Sequence, residues 1–464
     1  MFKFPLFIIS VKLKMFLKVI GQHVRRYSSK PNEFDIVIVG GGLVGSALAC
    51  KLAQSSWMSS RKICLLESAP LKKKHKKFDN HQDYSNRVVS LNPRTKKLFE
   101  SIGAWDLIPR KQKYNKMFVW DHCSTSSIEF KANQDESIAY IIENDLVIDA
   151  LDQVTSSLHG KNLEILHGTK VKDIHLPNDD LEKATIELED DKPAIQTSLV
   201  IGADGVNSKL RQSMTNVNYT SKEYNQMGLV GTVTYEDGES RDDIAFQKFM
   251  PGGPIALLPL CKGKASLVWS LPTSKAKELK KMNPQSLAIE LNEQLNLTYE
   301  RSSVVDGLNS VLGLVLRPLQ APEDSITSLP PPKAVRVDNP ACFPLGLGYT
   351  DRYVSHGAAL IGDAAHRVHP LAGQGVNLGY NDVKNLVEAL ENNVKHGKIF
   401  PNYDYLCDYE TNCVRHNLAF VNAIDALQQL YCTENVAFVA ARSMGLQVVN
   451  KNRVLKEAIM AAAS

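Results

Sequence analysis

Short unbroken apolar runs recur along the chain, each closed by a glycine or an acid. Asp35-Ile-Val-Ile-Val39 runs into Gly40, and Ile63-Cys-Leu-Leu66 ends at Glu67. Leu199-Val-Ile201 ends at Gly202, and Ala358-Ala-Leu-Ile361 at Gly362. Runs of this kind predict strands buried on both faces, as in a parallel sheet. Ser46–Ala53 is good helix material after the first run. Leu378, Leu386, Val387 and Leu390 share one face of a predicted helix after the last, with Asp382 nearby. Between 225 and 272 the pattern changes. Strand-like runs at 228–234, 245–249, 255–258 and 266–269 alternate with glycine turns and predict a mostly antiparallel sheet. Residues 284–296 and 301–312 read as helical or mixed, and 321–333, with four prolines, as a loop. Residues 402–464 read as amphipathic helix with Leu418, Val421 and Leu430 toward a core.

Residues 1–27 stand apart. They hold six of the chain's 54 basic residues and none of its 50 acids, so the rest carries 48 basic against 50 acidic side chains. The formal charge of +4 therefore belongs to the leader. A basic, apolar, acid-free N-terminus ending in Arg25-Arg26-Tyr27-Ser28 has the composition of a mitochondrial presequence. A body near −2 argues against a nucleic-acid-binding protein, which needs a basic surface. No other stretch approaches the ~18 apolar residues of a membrane span. The eight cysteines contain no C-x-x-C pair, which leaves no sign of a zinc ribbon or redox dithiol. At 464 residues, 44% hydrophobic and 22% charged, the chain suits interleaved globular domains with a large core.

The first strand leads into Gly40, Gly42 and Gly45, spaced as G-x-G-x-x-G. In such a turn the first glycine makes the bend and the second lets a pyrophosphate reach the backbone. The third lets helix and strand pack closely. Glu67, at the end of the second strand, is placed to hold a ribose hydroxyl pair. Two further strands end in Gly202-Ala-Asp204-Gly205 and Gly362-Asp363. The latter leads into His366-Arg-Val-His369-Pro370-Leu-Ala-Gly373-Gln374-Gly375-Val376-Asn377. Gly373-x-Gly375 follows a proline loop rather than a strand, so it is not a second dinucleotide turn.

Taken in this order, these motifs resemble the class A flavoprotein aromatic hydroxylases, and HPLAGQGVNLG resembles their ubiquinone-biosynthesis branch. Ser85-Asn86-Arg87-Val88, Ile142-Glu143-Asn144, Pro251–Pro254, and Tyr409-Glu410 with Arg415 are further matches. The resemblance implies an α/β fold of the para-hydroxybenzoate hydroxylase type. A Rossmann-like FAD-binding domain (33–125, 140–215 and 351–400) is interleaved with a mostly antiparallel β substrate domain (126–139 and 216–350). A C-terminal helical region (401–464) follows. The implied cofactor is FAD, contacted by Gly40, Gly42, Gly45, Glu67, Arg87, Asp204, Gly362, Asp363, Gly375, Val376 and Asn377. Pro370, Gly373, Gln374 and Gly375 form the flavin-adjacent loop. Arg87 would reach the pyrophosphate, Asp363 the ribityl hydroxyls, and Asp204 would organise its loop.

The implied activity is FAD-dependent hydroxylation, through a flavin C4a-hydroperoxide, of a polyprenylated 4-hydroxybenzoate-derived ring at C5. The implied setting is the matrix side of the mitochondrial inner membrane, in peripheral contact with it. O2, a ferredoxin-type electron donor and other ubiquinone-biosynthesis proteins are the implied partners. Alternatives on the same fold are an epoxidase or prenyl reductase of another lipid, or a non-enzymatic binding module. Lys72–Lys77 is the body's one basic patch, read as a solvated insertion or as a docking site for an acidic redox protein or anionic lipid. His366 and His369 have no neighbouring carboxylate in the sequence to complete a ligand set. They read as structural or flavin-adjacent, with no metal.

Overall fold

A computed structural model describes residues 32–71, 83–124, 126–133, 136–236, 241–297, 331–369, 373–431, 433 and 435–463. Residues 1–27, read above as a presequence, the basic patch Lys72–Lys77, Pro370 and the segment 301–312 lie outside the described residues, as does most of 321–333.

The four apolar runs form the centre of one sheet. Asn32–Val39 pairs in parallel with Ile63–Glu67 on one side and with Ile195–Gly202 on the other. Leu163–His167 continues the parallel sheet beyond Ile63–Glu67, and Ala358–Leu360 beyond Ile195–Gly202. All five strand ends therefore point the same way, and the register sets Val39 beside both Gly202 and Leu66. The helices Leu43–Gln54, Asn144–Leu158 and Gly375–Lys395 contribute Leu48, Val147 and Leu386 to the core of this sheet. Burial of such β-branched and leucine side chains, at about 25 cal/mol per Å², is the main stabilising term.

The second sheet is the antiparallel one, and it is larger than its sequence pattern indicates. Its order is 366–367, 334–350, 219–235, 264–272, 255–260, 244–249, 116–121 and 127–131. Lys116–Asp121 pairs in parallel with Ile244–Phe249, so this sheet starts before residue 126. His366–Arg367 joins its far edge, although it follows the Gly362–Asp363 turn of the first sheet. Both additions are non-local pairings, which local alternation cannot assign. A small sheet of Val88–Leu91, Ala139–Glu143 and Gln112–Tyr114 stands beside them.

Pro284–Asn296 is helical and packs Leu287, Leu291 and Leu295 under the second sheet. Its C-terminus is held by a buried cation. Lys248, 2% exposed, donates its Nζ to the carbonyls of Gln294, Leu295 and Leu297 at 2.7, 3.1 and 2.7 Å. These are orphan carbonyls of a helix end. Lys248→Met leaves them unpaired and is expected to lower unfolding free energy by ~3 kcal/mol, read as a lower urea midpoint.

The C-terminal region is helical at Tyr403–Tyr431, Val436–Lys451 and Arg453–Ala463. The buried stripe of the first runs through Tyr409, Cys413, Asn417, Val421 and Ile424, whereas Leu418 and Leu430 are half-buried. Tyr431 stacks on Phe249 of the second sheet, with ring centroids 3.9 Å apart. Among the described residues no helix is long and apolar enough to cross a membrane.

Candidate flavin site

The three glycines of the first turn have three different surroundings. Gly40 has φ +107°, and a Cβ there would lie 2.4 Å from the Ala203 carbonyl oxygen. A Cβ on Gly45 would lie 2.0 Å from the Gly40 carbonyl oxygen. At Gly42 a Cβ would meet nothing within 4 Å. The turn is thus closed on the protein side and open at Gly42, where it faces a cavity of about 1440 Å³. The helix beginning at Leu43 has no side-chain cap and no acid in its first turn. Its free N–H groups and positive dipole end suit an anion.

Glu67 is engaged within the protein. Its Oε2 accepts the Gly41 N–H at 2.8 Å and its Oε1 the Ala69 N–H at 2.6 Å. It holds the glycine turn in place and is half-exposed beside it. Arg87 is exposed at the cavity wall. Its segment is pinned by Glu143, which accepts the Ser85 N–H at 2.7 Å and pairs with Arg110 at 2.7 Å, and by the Asn144 N–H on the Arg87 carbonyl.

Asp204 lies beside the turn. Its Oδ2 accepts the Lys209 N–H at 2.7 Å. Its Oδ1 is buried without a partner among the described residues, and burial pushes the carboxyl up. Arg211 stacks on Tyr219 and donates to the carbonyls of Ala364, at 2.7 Å, and Val206, tying the Gly-Ala-Asp-Gly loop to the Gly362–Asp363 turn. Gly362 has φ +59°, a left-handed conformation that favours glycine. Asp363 faces the cavity. The surrounding protein desolvates its carboxyl and pushes it up, against the attraction of His366 and Arg367.

Gly373 (φ +60°), Gln374, Gly375 and Val376 line the same cavity, and the helix Gly375–Lys395 starts there with no acid in its first turn. Asn377 turns its side chain inward. Its Oδ1 accepts from Thr95 Oγ1 at 2.8 Å and the Asn92 N–H at 3.2 Å, and its Nδ2 donates to the Ser90 carbonyl at 2.8 Å. Its side chain anchors the helix, which leaves its backbone N–H for a ligand.

The structure therefore gathers Gly42, Arg87, Asp363, Gly373, Gln374, Gly375 and Val376 on one cavity wall. Gly40, Gly45, Glu67, Asp204, Gly362 and Asn377 stand behind it as support. An open glycine cradle, two uncapped helix N-termini and an outward carboxylate fit FAD. Among the described residues no group of three His, Cys, Asp or Glu could hold a metal ion. His369 is buried with neither ring nitrogen partnered among the described residues, and burial pushes it down to about 4. His366 does have a carboxylate. Asp382 lies 2.6 Å away across a loop and a helix, a pairing invisible in the sequence.

The cavity also reaches a region no motif marked. It continues past Phe249, Leu258 and Val268 of the second sheet to Leu430, Leu446 and Ile459 of the C-terminal helices. The only sequence signal for that wall is the amphipathic pattern after residue 402.

A flavoprotein oxidoreductase is the class this arrangement defines, and the model of the FAD binding domain matches residues 33–298 and 330–416. Crystal structures of similar fold include pqsL, a probable FAD-dependent monooxygenase from Pseudomonas aeruginosa (TM-score 0.64, 20% identity, covering 90% of this chain and 100% of that one). Another is p-nitrophenol 4-monooxygenase PnpA from Pseudomonas putida (TM-score 0.65, 18% identity, 93% and 97%). The chain belongs to the ubiquinone biosynthesis monooxygenase (COQ6) family. It is 39% identical to the mitochondrial member from Caenorhabditis elegans over 92% of this chain and 95% of that one. It is 38% identical to the human member over 95% of each.

Proposed function

We propose that this chain is an FAD-dependent monooxygenase of ubiquinone biosynthesis that hydroxylates a polyprenylated 4-hydroxybenzoate-derived ring at C5. The observation that carries the reading is one continuous cavity. It runs from the glycine turn and Asp363 to an apolar end between the antiparallel sheet and the C-terminal helices. A ring placed beside the flavin would leave its prenyl tail along that apolar end.

Bound FAD supplies the reduced ring that activates O2 and delivers one oxygen atom to the substrate. The chain's residues do the rest. Gly42 and the following helix N-terminus, with Arg87, hold the pyrophosphate. Asp363 accepts hydrogen bonds from the ribityl hydroxyls, and Glu67 steadies the turn at the ribose. The helix N-terminus at Gly375 favours negative charge on the reduced flavin. Apolar side chains such as Val230 and Leu258 keep water from the reacting centre.

Electrons come from a ferredoxin and its reductase, and the enzyme works with other ubiquinone-biosynthesis proteins on the matrix side of the inner membrane. The basic leader supports the address. Exposed Phe438, Val454 and Ile459 on the C-terminal helices support peripheral contact near the cavity, because Ile459 both lines it and reaches the surface. Neutralising the lysines of Lys72–Lys77 tests donor docking; unchanged flavin reduction by ferredoxin at low salt places that contact elsewhere.

The decisive test is turnover under ¹⁸O2 with the prenylated phenol, reductase and ferredoxin. One labelled oxygen at C5 is expected. Flavin reoxidation without oxygen incorporation, or an epoxide or saturated chain as product, overturns the reading. For the tail wall, Leu446→Asp is expected to raise KM about tenfold for a long-prenyl substrate, the scale of a few buried methylenes. The same ring with a short chain is expected to keep its KM.

A further inference from the structure

Behind the Gly362–Asp363 turn lies a buried polar knot that the reaction itself does not use. His366 Nε2 and Asp382 Oδ2 are 2.6 Å apart, and both side chains are fully buried. The same Asp382 oxygen accepts the Gly362 N–H at 2.9 Å, and the other accepts Asn417 Nδ2 at 3.0 Å. Tyr353 stacks on His366, with centroids 5.9 Å apart, and Tyr409 donates to the Leu360 carbonyl at 2.7 Å.

A buried ion pair is a poor device for stability, because apolar residues of similar volume often serve as well or better. Its geometry points to another use. Gly362 sets the direction of Asp363, and Asp382 belongs to the helix whose N-terminus opens on the cavity. One carboxylate thus joins the two elements that would hold the ribityl chain and the flavin ring.

We propose that His366 and Asp382 are positioning residues for FAD, their hydrogen bond locking the Asp363 turn to the helix Gly375–Lys395. The proposal rests on the FAD reading of the site. Asp363 and Arg367 face His366 from its own turn, and Asp382 from the helix Gly375–Lys395. Tyr353 faces it from before the strand Val354–Ser355. Tyr409, Glu410 and Cys413 of the helix Tyr403–Tyr431 close the knot around Tyr353 and Asp382. Burial lowers the His366 pKa, but Asp382 and then Asp363 outweigh it and leave it above its ordinary value. When the proton is lost, Asp363 in the turn and Asp382 on the helix lose the positive charge that both face. The turn loosens, and FAD affinity falls as pH rises through the raised His366 value.

The test is the FAD dissociation constant of the apoprotein, read by flavin fluorescence from about pH 6 to about pH 9.5, the range around a raised imidazole. The wild-type constant is expected to rise several-fold across it. His366→Gln keeps a donor toward Asp382 but no titrating charge. Its constant is expected to be about tenfold weaker at the acid end and flat with pH, the loss of one charge-assisted hydrogen bond. Asp382→Asn should also be flat and weaker. Thermal unfolding of apo His366→Gln separates positioning from scaffold loss: a lower midpoint with the wild-type pH profile of FAD binding overturns the proposal. So does a wild-type constant that is flat with pH, or a His366→Gln constant equal to wild type. An apoprotein that binds no FAD at any pH overturns the FAD reading instead.

Discussion

Gly45→Val will give a destabilised, colourless protein, whereas Gly42→Val will give a stable protein that binds FAD poorly. The two glycines lie three residues apart in one turn, and only their surroundings distinguish them. At Gly45 the added Cβ would sit 2.0 Å from the Gly40 carbonyl oxygen and 3.0 Å from Ala203 Cβ. Neither can yield easily. Gly40 is held by its N–H on the Leu66 carbonyl, and Ala203 by its N–H on the Val39 carbonyl. Overpacking against a flexible neighbour costs about 1–3 kcal/mol, and backbone on the far side places Gly45→Val at or above the upper end. At Gly42 nothing lies within 4 Å and φ is −74°, so the side chain is accommodated without strain. It then projects into the space where the pyrophosphate should meet backbone N–H groups, and at least a tenfold loss of FAD affinity is expected. Thermal unfolding of the two apoproteins and FAD titration of each read the contrast. Equal stability of the two variants would show that the turn relaxes around Gly45.

Asp363→Asn is expected to weaken FAD by about ten- to a hundredfold while leaving the apoprotein at least as stable as wild type. The loss is that of charge-assisted hydrogen bonds to hydroxyls, about 1.5–3 kcal/mol. The gain follows from linkage. Desolvation raises the Asp363 carboxyl above its ordinary value of 3.8 in the folded protein, against the pull of His366 and Arg367. A raised acid binds protons more tightly folded than unfolded, so stability falls as pH rises from near 3.8 through the raised value. At neutral pH that destabilisation is present but small, because Asp363 is exposed in the cavity and solvent screens it, and asparagine removes it. Apo wild type and apo Asp363→Asn should therefore differ most at neutral pH and converge in acid, as measured by urea unfolding across pH. A neutral-pH loss of stability in the variant would mean that Asp363 is structurally paired rather than held ready for a ligand.

The residues that are easiest to read from the chain are those whose role is local. Gly40, Gly42 and Gly45 follow a strand and open a helix within six residues, so their spacing carries the turn. Asp204 and Asp363 each close an apolar run and therefore stand at strand ends. Asn377 is also visible as part of the loop, yet its side chain points inward to Ser90, Asn92 and Thr95, nearly 300 residues earlier. No local pattern could assign that direction. The same holds for Lys116–Asp121, whose alternation suits either sheet until it pairs with Ile244–Phe249.

The amino-acid sequence alone determined the class of cofactor turn, four of the five parallel strands, the mostly antiparallel nature of the second sheet and the helical C-terminus. Each rests on periodicity or on glycine chemistry within a few residues. The tertiary structure alone decided that the C-terminal helices wall the same cavity as the glycine turn. It also placed Asp382 against His366 and Gly362, and Lys248 under the end of Pro284–Asn296. Those contacts join residues from about 16 to more than 200 positions apart, and their free energy exists only once the sheets have packed.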